Sequence, residues 1–275
     1  MIVVRKRLTA VIIALALLAM VVVQLVPFYV ALTTALKPKT DLSSQLVLPN
    51  SFYLGNFVSA LGQGNILRAV FNSVVITGIS TLLVCIIGAL AAYPLARRLS
   101  RLNKAVMLLI ISLIMIPPLS ILVPLYSMLN QLHAVNTYWG IILVMVTGQL
   151  PLSIFLYASF LRTIPVSLEE AATIDGANLM QVLFRVVFPL LKPVTATVVI
   201  LAGVAIWNEY ALSVYILTDP SVQTIAPAIG SFFSQQTSNL GAEAAASLVA
   251  VTPVLIAYLF LQKFFMKGMV AGAEK

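Results

Sequence analysis

Residues 69–96 read AVFNSVVITGISTLLVCIIGALAAYPLA, with no Asp, Glu, Lys or Arg in the run and Arg97-Arg98 closing it. A helix needs about 20 mostly apolar residues to cross the hydrocarbon of a bilayer, so this stretch spans one with length to spare. Outward from it, Leu8 to Leu36, Ala105 to Leu132, Ala134 to Leu161 and Ala244 to Gln262 are equally free of charge, and Val194 to Leu217 holds only Glu209. The sequence therefore reads as an all-α membrane protein. A single transmembrane domain over 1–275 is expected, with six spans at about 9–36, 69–96, 105–128, 140–161, 193–217 and 244–265. Composition agrees: 61% of the 275 residues are hydrophobic and 9% charged, whereas soluble domains carry about a quarter charged.

The first run follows Arg5, Lys6 and Arg7 as a signal peptide would, but it is longer than a signal h-region and no small-residue cleavage site follows. It is expected to stay as the first span. Basic residues near span ends remain on the cytoplasmic side. With the N-terminus inside, Arg5, Lys6, Arg7, Arg97, Arg98, Arg101, Lys104, Arg162, Arg185, Lys192, Lys263, Lys267 and Lys275 fall inside, leaving Lys37, Lys39 and Arg68 outside. Both termini are thus expected in the cytoplasm. The net charge of +8 is used in this orientation, since no basic stripe with interleaved aromatics exists to bind nucleic acid. Cys85, the single cysteine, can form neither an intrachain disulfide nor a cysteine zinc site, and reads as packing bulk. The lone His133 lacks partners for a metal and reads as a surface-loop residue.

The segment 162–192 is the only long inner loop. Ser167 and Glu170 have the S-x-x-E spacing of a capping box, in which each side chain takes a backbone amide of the same helix start. A helix is expected from Leu168. Asp175-Gly176 suits its end, because glycine accepts the left-handed conformation there, and a second helical stretch is expected from Ala177 to near Phe188, before Pro189 and Pro193. Ala171, Ala172, Gly176 and Ala177 are small enough for another protein to approach closely. On these features alone the segment is either a contact site or an ordinary capped interfacial helix.

Glu170-Ala171-Ala172, three residues, Gly176, nine residues and Val186-Val187-Phe188-Pro189 resemble the EAA motif of binding-protein-dependent ABC-importer permeases, E-A-A-x3-G-x9-I-x-L-P. Val186 and Phe188 stand where isoleucine and leucine are usual. Glu169 to Pro193 is similar to the carbohydrate-uptake branch, the maltose-transporter permease family. Leu36-Lys37-Pro38, Asn56-Phe57, Pro117 with Pro124-Leu125-Tyr126, Trp207-Asn208-Glu209 and the tail from Gly268 to Lys275 add further likenesses. The resemblance implies a permease subunit that meets its ATPase through Glu169, Glu170, Ala171, Ala172, Asp175, Gly176 and Ala177. It implies tail docking through Gly268, Gly272, Glu274 and Lys275, although Glu274 departs from the valine usual there. The implied partners are a second homologous permease, two ATPase subunits that hold ATP and Mg, an extracytoplasmic solute-binding protein, a sugar, and membrane lipid. This chain itself carries no G-x-x-x-x-G-K-[ST] phosphate loop, so it is expected to hold no cofactor and to be no enzyme.

Glu209 is the one acid within a span, and at about 1.5 Å per residue it stands roughly 24 Å from Pro193. It reads either as a group lining the path, with Trp207 and Asn208 beside it to bind sugar, or as a structural carboxylate. Pro117-Pro118 and Pro124 predict a kinked third span, lining a cavity with Tyr126 or packed by neighbours. The outer loop 218–243 reads as the site that meets the solute-binding protein, or as a connection holding a re-entrant or interfacial helix. An ion-coupled secondary transporter would need paired broken helices and coupling carboxylates near the midplane, which the sequence does not offer. A permease for a non-sugar solute stays open at this point.

Overall fold

The structure is a computed structural model that describes residues 2–63, 65–98, 100–235 and 239–273. Among the described residues all regular structure is helical. In chain order the helices are α1 (Ile2–Ala35), α2 (Gly55–Gln63), α3 (Ile66–Arg97), α4 (Arg101–Ile114), α5 (Leu122–Gln131), α6 (Tyr138–Leu161), α7 (Ser167–Ile174), α8 (Leu179–Gln181), α9 (Phe188–Leu190), α10 (Lys192–Trp207), α11 (Ser213–Ile216), α12 (Ile225–Gln235) and α13 (Leu240–Ala273). Four of them, α1, α3, α6 and α13, are long and apolar enough to cross a membrane, and two bent pairs raise the number to six.

The bent pairs correct two expected spans. The third does not run as one kinked helix: α4 ends at Ile114 and the chain turns by 97° into a 3₁₀ turn, Pro118–Ile121, and α5. Two successive prolines remove two amide donors, and Pro117, which precedes Pro118, is extended with ψ 129°. The fifth ends at Trp207, ten residues short of the expected 217. At its other end it meets the Leu179–Leu190 stretch at a 70° bend, where Pro193 in the first turn of α10 has no amide to continue the ladder. The loop 218–243 contains α12, and α13 begins inside it at Leu240.

The chain divides into two compact units. One comprises residues 1–66 and 229–251. Its α1 has no buried face from Val11 to Val23, with Leu15 61% and Val23 70% exposed, as suits a helix whose solvent is lipid. Asn56 closes the end of α1 by donating from Nδ2 to the carbonyls of Ala35 (2.9 Å) and Lys37 (2.7 Å). The other unit comprises residues 67–228 and 252–275 and holds the main core, built on Ile76, Val84, Ile141, Tyr157, Leu161, Val187, Val198 and Ile216.

Candidate functional site

The loop between α6 and α10 is held from three directions. The helix α7 starts one step earlier than expected: Glu169 and Glu170 both donate their amides to the Val166 carbonyl, at 2.9 and 3.1 Å. Ser167 is therefore already helical, and the capping box expected between Ser167 and Glu170 does not form. A box does form eleven residues on, where Asn178 Oδ1 accepts the Gln181 amide and Gln181 Oε1 accepts the Asn178 amide, each at 2.9 Å.

The end of α7 is as the glycine predicts. Gly176 has φ +87°, its amide donates to Thr173 O and that of Ala177 donates to Ala172 O, both at 3.0 Å. These are the two bonds of a Schellman motif, whose usual apolar contact between the flanking positions falls here on Ala172 and Ala177. Both alanines are half-buried and pack on the core, so they do not offer the open face expected of them. Glu170, Ala171, Asp175 and Gly176 are exposed, as is Ile174 at 86%. Beyond its two chain neighbours no heavy atom lies within 4 Å of where a Gly176 Cβ would stand, so only the backbone conformation demands glycine.

Glu169 faces inward. Its Oε1 accepts from Arg97 Nε at 2.8 Å and stands 2.6 Å from Arg97 Nη2, while its Oε2 accepts from Tyr93 at 2.8 Å. Arg97 Nη1 donates to the carbonyls of Leu161 (2.8 Å) and Ile164 (3.2 Å). One guanidinium thus binds the end of α6, the turn after it and the first turn of α7. Sequence reading counted Arg97 only as a basic residue at a span end and missed this role. The signal present was an arginine closing a span, with nothing in the sequence to say which acid it meets.

The path candidates do not converge. Trp207 is buried and borders a cavity of about 540 Å³ among α3, α10 and α13, lined mostly by apolar side chains with the hydroxyl residues Thr77, Thr81 and Thr195. Asn208, Glu209, Pro117 and Tyr126 do not line it. The Glu209 carboxylate accepts the amides of Leu212 (2.7 Å) and Ser213 (2.9 Å) and the Ser213 hydroxyl, which ties it to the start of α11. The structural alternative for Glu209 thus has three bonds behind it. Pro117 and Tyr126 are exposed. His133 is an exposed loop residue with φ 53°, and Cys85 lies half-buried beside the cavity. Gly268 and Gly272 belong to α13, while Glu274 and Lys275 lie outside the described residues. Among the described residues no three His, Cys, Asp or Glu side chains are grouped to hold a metal.

At the Ile66 end of α3, Arg68 Nε donates to Ser221 O (2.8 Å), and Asn72 Nδ2 donates to Ser221 O (3.1 Å) and Gln223 O (2.8 Å). Tyr138 donates to Asn72 Oδ1 at 2.6 Å, and Ser73 Oγ accepts the Ile225 amide at 2.7 Å. Asp219 caps the same loop: the Ser221 amide and hydroxyl hold its carboxyl below the ordinary range.

Residues 85–270 match the model of the binding-protein-dependent transport system inner membrane component. The chain belongs to this family. It is a multi-pass inner-membrane permease, as the apolar helices require. Its sequence is 46% identical over 251 residues, 91% of either chain, to the melibiose/raffinose/stachyose import permease protein MelC of Bacillus subtilis. It is 32% identical over 251 residues, 90% of this chain and 91% of the other, to the AmyC permease of Thermoanaerobacterium thermosulfurigenes, described as belonging to a probable starch degradation products transport system. A solved bacterial ABC transporter that imports alginate contains a chain of the same fold, with TM-score 0.81, 21% identity, and coverage of 94% of this permease and 97% of that chain.

Proposed function

We propose that this permease is one of two homologous membrane subunits of an ATP-driven importer and forms half of the path for a di- or oligosaccharide. The observation that carries the reading is the Schellman turn at Gly176, presented on an anchored helix with the EAA spacing. Exposed Ile174, Leu179 and Met180 surround that turn with apolar surface, suited to a close protein contact. Two ATPase subunits holding ATP and Mg dock there, their closure moves α7, and the pull reaches the spans through Arg97 and the α9–α10 segment. Six spans are supported by the charge-free apolar runs, and cytoplasmic termini by the Lys/Arg distribution. A solute-binding protein delivers the sugar to the 218–243 side, and the tail from Gly268 adds a second ATPase contact. Trp207, Asn208, Glu209, Pro117 and Tyr126 supply this subunit's share of the path, completed by the partner permease.

The sugar reading draws on relatives named for melibiose, raffinose and stachyose and for starch degradation products. It is tested by uptake of labelled melibiose, raffinose, stachyose and maltodextrins into cells that carry the whole transporter, with and without this permease. Uptake of at least one of them that depends on the permease and on the solute-binding protein is the expected result. Dependence for a non-sugar solute alone, or uptake that survives ATP depletion on an ion gradient, contradicts it.

A further inference from the structure

The segment that joins the Gly176 turn to α10 departs from an α-helix, and the departure has a cause in the sequence. Between α8 and α9 the six residues Val182–Val187 form a π-turn, after which the Phe188 amide donates to the Leu183 carbonyl, five residues back. Pro189 accounts for it. Proline has no amide to give, and in an α-helix its ring collides with the carbonyl four residues earlier, here Arg185. Admitting one more residue to the turn moves that carbonyl away from the ring. Packing favours the same form, since Val182, Leu183 and Val187 are all buried, at 3%, 7% and 0% exposure. At about 100° per residue an α-helix would set Val182 and Val187 roughly 140° apart, whereas the wider π-turn, with roughly 4.4 residues per turn, brings them to within about 50°, on one face.

We propose that Pro189 is a positioning residue: by holding the π-turn Val182–Val187 it sets the rotational phase between the Gly176 turn and α10. The proposal rests on the reading of this loop as the ATPase contact. Rewinding the π-turn as α-helix would rotate everything before it, the Asn178–Gln181 box and the Gly176 turn included, by about 100° about the segment axis. The loop is not free to follow, because Glu169 is tied to Arg97 on α3. The extra residue in the π-turn lets Glu169 meet Arg97 while Val187 and Leu191 stay in the core. Motion of the Gly176 turn then reaches α10 in a fixed direction.

The test uses the complete transporter in proteoliposomes with its solute-binding protein, reading both sugar uptake and binding-protein-stimulated ATP hydrolysis. Pro189→Ala is expected to lower both by at least about tenfold. The deciding variant combines Pro189→Ala with deletion of Arg185, an exposed residue of the π-turn. In an α-helix one residue fewer restores the original phase, so the double variant recovers most of the activity. Damage that came only from misfolding or a lost local contact would not be repaired by removing a second residue. Full activity in Pro189→Ala, or an inactive double variant, overturns the proposal. Gly176→Val is measured in parallel. If it leaves coupling intact, the loop is not the ATPase contact and both readings fall; if it uncouples while Pro189→Ala does not, the phase role alone falls.

Discussion

Helix α3 holds a loop at each of its ends, by different chemistry. At Arg97 one guanidinium takes the Glu169 carboxylate and two carbonyls, with the paired side chains 12% and 10% exposed. At the Ile66 end the work is divided: Arg68, Asn72 and Ser73 share the backbone of residues 221–225, and no carboxylate takes part in those bonds. The first arrangement concentrates the loop's position in one buried pair, which is costly to break because a lone charge remains. The second spreads it over several bonds of about 1 kcal/mol each, so that losing one leaves the others. A single helix thus ties a loop at each of its ends, firmly at the Arg97 end and redundantly at the Ile66 end.

The largest expected effect comes from breaking the concentrated end. Arg97→Met leaves Glu169 buried without its partner, a cost of about 3 to 5 kcal/mol to the local structure, while the spans stay inserted because lipid burial holds them. Limited proteolysis of membrane vesicles should then cut within 162–192, where the wild-type loop resists. A loop that stays protected would mean that Arg97 does not position it. Arg97→Lys is expected to behave almost as badly, since an ammonium cannot present the same planar fork to Glu169 and two carbonyls.

The distributed end should give way by less. Asn72→Ala removes two donated bonds and the acceptor of the Tyr138 hydroxyl, for about 1 to 3 kcal/mol, with Arg68 and Ser73 still in place. Hydrogen exchange at the Gln223 and Ile225 amides should speed up without release of the loop to protease. Equal sensitivity at both ends would remove the distinction between them.

The smallest effects separate the box that forms from the one that does not. Asn178→Ala should destabilise the start of α8 by about 1 kcal/mol. Ser167→Ala should cost under about 0.5 kcal/mol, because its hydroxyl makes no cap. Thermal inactivation of the assembled transporter ranks the two, and the reverse order would restore the box at Ser167.

Much of this was legible in the sequence, for identifiable reasons. Charge-free runs of membrane length marked α1, α3, α6 and α13, since lipid leaves little else for such runs to be. Gly176 was readable because glycine is the residue that best suits the left-handed position after Asp175. What the sequence concealed depended on contacts between distant residues or on competition between near ones. Nothing local told Glu169 from Glu170, yet the step from Pro165 into α7 turns the first toward Arg97 and leaves the second exposed. The S-x-x-E spacing at Ser167 was genuine, but a helix whose N-cap is Val166 and whose first residue is Ser167 leaves the serine no amide to cap. The prolines at 117 and 118 announced a disturbance without giving its size, which became a 97° break. Glu209 looked isolated in one dimension because its partners are backbone amides of Leu212 and Ser213, which a sequence does not display.

The proposed contact between the face around Gly176 and the ATPase is tested most directly by a photo-crosslinking amino acid at Ile174, since that side chain is 86% exposed beside the turn. The same probe at Leu42, 93% exposed in the segment after α1, serves as the comparison from the opposite side of the expected topology. In the assembled transporter the account predicts an adduct between position 174 and the ATPase subunit, and none with the ATPase from position 42. An ATPase adduct from position 42, with position 174 joined only to lipid or to the solute-binding protein, would contradict it.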